Sequence, residues 1–357
     1  MLKLAAEHFA SIAALLMALL VIFIFPHVFD EYTLLQLTVY IVMSILALSL
    51  GFMWGVGGIL SFGHAAFFGL GSYAYAIAAI NFGDTTGAVL LAILVPAAFA
   101  AILGYLLFYG RIGDVYLAAI TLSVTLIFFN LVNSTSGPEY KVGKAAIGGF
   151  NGIPAIPQLN LPGNPEVVIS TTQLFCLCVV VLAFVYVGLR FLIASDFGRV
   201  VRAIRSNEKR AELLGYDTRK YKLLTFMIGG ALAGLAGCLF ANWGGYASPT
   251  IFAVGQSVQI IIWVVVGGLG SLLGSVVGCF LIQWLTSYIS GLNTLNSYLI
   301  LGVILTFFVL VLPEGIVPSL QRWLGGKRGG AQAEKTNTQP STSEIQDTLS
   351  ERVREVA

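Results

Sequence analysis

The sequence predicts an all-α polytopic membrane protein with about ten transmembrane helices. Three observations carry that reading. Only 10% of the 357 residues are charged, while 57% are apolar and a further 40 are glycine; an ordinary soluble protein carries roughly 25% charge. The charges are also unevenly placed. No Lys or Arg falls between Lys3 and Arg111, and no charge of either sign falls from Leu223 to Pro313. Finally, the apolar runs are long and continuous, unlike the short alternating segments of a membrane β-barrel. A soluble fold must cover its surface with polar groups, so the uncharged run excludes one. The same composition excludes a disordered or collagen-like chain. A net charge of +2 gives a nucleic acid little to hold.

A crossing helix needs about 20 apolar residues. Runs that qualify lie at 9–29, 33–52, 63–81, 88–109, 115–135, 170–193 and 223–243. The first exceeds a signal-peptide apolar region of about 7–15 residues, and no Ala-x-Ala-like site follows it, so it reads as a retained helix. Segments 257–272 and 274–290 read as two short helices around the turn Gly267-Gly268-Leu269-Gly270-Ser271, or as one span plus a re-entrant piece. A run at 295–312 completes the set. Cys176, Cys178, Cys238 and Cys279 all fall within these runs and read as small buried hydrophobes, so no metal site is expected.

Orientation follows from the loops. Nine basic residues, Arg190, Arg199, Arg202, Arg205, Lys209, Arg210, Arg219, Lys220 and Lys222, crowd one connection, which the positive-inside rule places in the cytoplasm. Counting through the spans puts both termini on that side and Asp30, Glu31 and Asp84 on the other. The expected organisation is a transmembrane domain over 1–324, with a cytoplasmic loop at 194–222 and a Pro- and Gly-rich outer loop at 136–169. A tail over 325–357 follows. Its end, 343–356, has a capping-box pattern at Ser343 and Gln346, with Ile345, Leu349, Val353 and Val356 on one helical face.

The basic connection contains more than charge. In Ser206-Asn207-Glu208-Lys209-Arg210-Ala211-Glu212-Leu213-Leu214-Gly215, Ser206 or Asn207 can cap a short helix and Gly215 can end it in a left-handed conformation. Asn207, Ala211 and Leu214 recur at helical spacing. Such a helix suits a groove on a soluble protein, although a basic loop that merely orients the chain fits the residues as well.

Three stretches together resemble the permeases of bacterial branched-chain amino acid ABC importers. They are Gly198 to Leu224, the segment Trp54-Gly55-Val56-Gly57-Gly58-Ile59-Leu60-Ser61-Phe62-Gly63-His64, and the turn Val266 to Gly274. Gly148-Gly149-Phe150-Asn151-Gly152 is similar to a feature of the longer of that family's two permease types. The resemblance covers about residues 33 to 318. It implies an ABC importer permease fold in the bacterial inner membrane, and a pore shared with a second homologous permease. It also implies two cytoplasmic ATPases and a periplasmic solute-binding protein. ATP and Mg would be used on those ATPases, and this chain would bind no cofactor and catalyse nothing. No Gly-x-x-x-x-Gly-Lys-Ser/Thr phosphate loop occurs in it. On this reading Asn207, Glu208, Ala211, Leu214 and Gly215 couple to the ATPases.

His64 is the intramembrane ionisable group with the clearest claim to function, and with Ser61 and Gly63 it marks an expected translocation path. The competing reading is a neutral imidazole that bonds a backbone carbonyl and fixes the hairpin. Gly230, Gly234, Gly267, Gly268 and Gly270 are expected to be helix-packing positions, because small residues let helices approach closely. Leucine, isoleucine and valine are the solutes first implied, with urea or short amides as the alternative. An ion-coupled secondary transporter would want paired charges near the midplane, which the uncharged run lacks. A membrane enzyme would want a cluster of His and carboxylates within the spans.

Overall fold

The computed structural model describes residues 2–137, 139–161, 164–291, 302 and 315–325. The chain divides into two compact units, Met1–Val317 and Pro318–Ala357. The described helices are α1 (Leu2–Val28), α2 (Glu31–Gly55), α3 (His64–Phe82), α4 (Thr85–Tyr109), α5 (Asp114–Ser134), α6 (Thr171–Ala194), α7 (Asp196–Ser206), α8 (Glu208–Leu213), α9 (Thr218–Gly244), α10 (Val254–Gly267), α11 (Leu272–Gly291) and α12 (Ile316–Gly325). Among the described residues, 8 helices are long and apolar enough to cross a membrane: α1 to α6, α9 and α11. The protein is a multi-pass membrane protein. The expected span 295–312, apart from Gly302, and the tail with its helical pattern at 343–356 lie outside the described residues.

Two expectations need correction. The segment 194–222 is not a loop with one small helix in it. Ser195 starts α7, whose apolar Val200, Val201 and Ile204 are buried, and α9 begins at Thr218, so Arg219, Lys220 and Lys222 are helical. The segment 257–272 is also shorter as a helix than expected. α10 has 14 residues, about 21 Å at 1.5 Å per residue, which is less than the roughly 30 Å of a hydrocarbon core. A 3-10 turn, Pro249–Phe252, precedes it. The chain still reverses twice here, as a pair of spans would.

The chain order gives the bundle two ends. One carries α7 and α8 and is called the basic face. The other carries the α5–α6 connection, the hairpin face. There, β1 (Lys141–Val142) pairs with β2 (Ala145–Ala146) and β3 (Asn160–Leu161) pairs with β4 (Asn164–Val168), both antiparallel. Buried polar side chains fasten this connection. The Asn242 side chain accepts from Leu159 N–H at 2.8 Å and donates to the Cys238 carbonyl at 2.9 Å. The Tyr75 hydroxyl lies 2.9 Å from both the Asn242 side-chain oxygen and the Pro157 carbonyl.

α2 lies at the centre and α1 at the margin. The apolar window of α2 is 78% buried and that of α1 is 6% buried. Ile12, Leu16, Met17 and Phe23 of α1 are exposed, as befits a helix bathed in lipid. Some hydroxyls within the bundle return to their own helix: Thr38 donates to the Leu34 carbonyl and Ser44 to the Tyr40 carbonyl. That satisfies them where no water is available.

Glycines set the closest helix contacts. A Cβ on Gly234 of α9 would lie 2.4 Å from the Ala92 carbonyl oxygen of α4, and one on Gly71 of α3 would lie 2.2 Å from the Gly234 carbonyl. Pro96 removes the helical donor for that Ala92 carbonyl, so the helix is open where α9 presses on it. Gly230 faces Ala100 and Pro96 of the same helix. Gly267 meets Gly274 across the α10–α11 turn. Gly268 and Gly270 hold the turn itself, at φ +116° and +93°.

Candidate functional site: the basic face and the turns above it

Three short structures meet at the basic face. The first is the α7–α8 pair. Asn207 is at once the C-cap of α7 and the N-cap of α8, and its side chain accepts from Arg210 N–H at 2.9 Å. There is no slack between the two helices. Ala211 of α8 is buried against Val200 and Ile204 of α7, with Tyr221 of α9 beside them. Glu208 pairs with Lys222 of α9 at 2.5 Å, and Thr218 Oγ1 donates to Glu212 at 3.0 Å. α8 is thus held on its inner side by both neighbours.

Its outer side carries no such partner among the described residues. Leu213 is 88% exposed and Leu214 71% exposed. Gly215 follows at φ +91°, which turns the chain back toward α9. A cleft of about 460 Å³ lies next to this knob, lined by Phe197, Tyr216, Tyr221 and Leu224 with Asp217 and Lys220. Two exposed leucines in a basic surround cannot be explained by lipid, because this segment lies off the apolar spans. They make a small, firm apolar projection on a face that otherwise suits water.

The second structure is the turn from Val56 to Gly63. α2 ends at Gly55, and the chain reverses through Gly58 at φ +74° into α3. It does not leave the bundle. His64 Nε2 lies 2.6 Å from Ser49 Oγ, which lies more than a turn before the end of α2. Gly63 abuts the Thr121 carbonyl of α5. Non-helical backbone therefore occurs within the bundle, buried in protein, as such backbone must be. The third structure is the turn from Gly268 to Ser271. Gly55 packs against the Gly270 backbone, so the ends of α2, α10 and α11 share one corner.

The candidate residues from the sequence separate into groups. Asn207, Glu208, Ala211, Leu214 and Gly215 come together in and around α8, but not on one face. Ala211 points inward, and Leu213, absent from the expected set, is the most exposed apolar residue there. A six-residue helix ending at Leu213 puts Leu214 at its cap, which shifts the outward side by one position. Ser61, Gly63 and His64 also come together, though Ser61 and His64 do not pair. Ser61 Oγ accepts from Gly63 N–H at 3.3 Å, while the His64 imidazole meets the Ser49 hydroxyl, not a backbone carbonyl. His64 is fully buried and its Nδ1 has no hydrogen-bond partner among the described residues. Gly230 and Gly234 belong to neither group and pack instead against α4 and α3. Gly267, Gly268 and Gly270 surround the third turn.

Comparison with known proteins fits this geometry. The family model described as the permease component of branched-chain amino acid transport systems matches residues 32–310. The chain belongs to this permease family. Among its relatives, the high-affinity branched-chain amino acid permease LivM of Escherichia coli K12 is 29% identical over 90% of this chain and 78% of that protein. The high-affinity branched-chain amino acid permease LivH of the same organism is 28% identical over 77% of this chain and 90% of that protein. The LivM-type permease of Methanocaldococcus jannaschii, described as probable, is 26% identical over 74% of this chain and 81% of that protein. LivM is the longer permease type, as the Gly148 to Gly152 segment suggested. No solved structure matches. Within the family domain lie the turn at Val56–Gly63, the α7–α8 pair and the Gly268–Ser271 turn, so all three belong to the permease body.

Proposed function

We propose that this chain is the permease subunit of an ATP-driven importer that moves branched-chain amino acids across the bacterial inner membrane. The basic face lies in the cytoplasm. A second homologous permease completes the pore, two ATPase subunits bind at the basic face, and a solute-binding protein delivers leucine, isoleucine or valine at the hairpin face. The observation that carries this reading is α8. It is a capped helix, braced on its inner side, that presents Leu213 and Leu214 to the side where a soluble partner would dock. A helix that only oriented the chain would have no use for that projection.

The mechanism follows from the bracing. Closure of the ATPases on ATP pushes α8. Because Asn207 joins α8 to α7 and Glu208 joins it to α9, the push reaches the bundle as a shift of packed helices rather than as a bending loop. A pathway without intramembrane charge suits a zwitterion that passes through without tight binding. Purified transporter carrying Leu213→Arg or Leu214→Arg tests the reading: ATP-coupled leucine uptake is expected to fall at least tenfold, since a charge enters an apolar contact. Uptake at the wild-type rate in both variants would overturn the role of α8. Competition by unlabelled leucine but not by urea is the expected selectivity.

A further inference from the structure

We infer that Arg205 is the positioning residue through which movement of α8 reaches the turns at the end of α2, acting as a latch between the α7–α8 unit and the bundle. The inference rests on the proposed import function but names a residue and a route that the function by itself does not require. Arg205 stands in the last turn of α7, two residues before the Asn207 cap shared with α8. Its guanidinium donates to the Gly55 carbonyl at the C-terminus of α2. The last carbonyls of a helix lack intrahelical donors and carry the negative end of the macrodipole, so a cation bonds well there.

Two further contacts make the same side chain central. Its stem lies over Gly58: a Cβ built on Gly58 would come within 2.9 Å of Arg205 Cγ. Its guanidinium nitrogen also lies 3.7 Å from the Cβ position of Gly270, in the turn between α10 and α11. One arginine therefore touches the end of α2, the turn leading to His64 and the α10–α11 turn. Among the described residues, the other arginines of α7 make no such contact with α2 or the two turns. Arg199 pairs with Asp196 on the same helix, and Arg202 bonds the Gly198 and Ile193 carbonyls close by in sequence.

The consequence is directional. α8 cannot move as a unit with α7 without either dragging the Gly55 carbonyl or breaking the bond to it. Dragging it displaces the turn that presents His64 to Ser49. In the latched state, the two turns that enter the bundle from the basic face are held by one side chain, and a push on α8 is a push on both.

The test uses the complete transporter in proteoliposomes with labelled leucine. Arg205→Met keeps most of the stem and removes the donor. Leucine moved per ATP hydrolysed is expected to fall about tenfold while ATP hydrolysis continues, the size expected for one lost charge-assisted hydrogen bond. Arg205→Lys, which keeps the charge and loses the planar fork, should recover part of that ratio. Arg199→Met, which removes a charge from the same helix, should leave it unchanged. A second readout needs no transport: the rate at which a membrane-impermeant maleimide labels Ser271→Cys. It should rise severalfold when Arg205→Met is added, because the latch no longer holds the turn. A wild-type ratio in Arg205→Met, or an unchanged labelling rate, overturns the latch. Absence of ATP-dependent leucine uptake in the wild-type transporter overturns the import reading instead, and the labelling rates then still decide the latch.

Discussion

Gly234 shows how little room a single residue has in this bundle. Its α carbon faces backbone on two helices, the Ala92 carbonyl and Gly71, not the flexible end of a side chain. A side chain on Gly234 points at Ala92 and Pro96, so Gly234→Val must push α4 off α9, and a cost of about 1–3 kcal/mol or more is expected. Gly188 in α6 has nothing within 4 Å of its Cβ position. Gly188→Ala should be neutral or stabilising by up to about 1 kcal/mol, since alanine is the better helix former. Melting temperatures of the two variants in one detergent check the contrast. Asn242 is a second such position. Asn242→Ala leaves the buried Leu159 N–H without its acceptor, at about 1–3 kcal/mol. Protease should then cut the α5–α6 connection faster. The small-residue spacing in α9 is visible in the sequence, but the partners are not: Gly71, Ala92 and Pro96 lie far away along the chain. His64 illustrates the same limit. Its place in a Gly-rich turn can be read locally, whereas Ser49, its partner, cannot.

At the scale of elements, the long apolar runs made most of the bundle readable. The basic segment did not yield as easily. Arg199, Arg202 and Arg205 satisfy the positive-inside rule so well that α7 reads as a loop, although Phe197, Val200, Val201 and Ile204 already have helical spacing after Ser195. The 14-residue α10 reads as longer than it is for the opposite reason. Apolar residues continue into the Gly-rich turn, and hydropathy alone does not show that the helix has ended. The α7–α8 unit makes its own prediction. Asn207 caps both helices at one residue, so Asn207→Ala should cost about 1 kcal/mol of helix-end stability. Amide exchange over 208–214 should accelerate, with the long spans unaffected. An unchanged exchange rate would mean that Ala211 packing and the Glu208–Lys222 pair hold α8 without the cap.

For the whole molecule, the charge distribution and the packing describe one design. Charge in the spans is confined to their ends, and the basic residues concentrate where α8 projects Leu213 and Leu214. Broken backbone at Val56–Gly63, mostly buried, and at Gly268–Ser271, partly exposed, lies at the same face within reach of Arg205. On the proposed import function, such a chain takes its energy from partner ATPases. The measurement that tests this most directly is leucine uptake by proteoliposomes holding the purified transporter, with ATP supplied or withheld and with a protonophore present or absent. Uptake should require ATP, ignore the protonophore and collapse in Leu214→Arg. Uptake that is indifferent to ATP and abolished by the protonophore would contradict it.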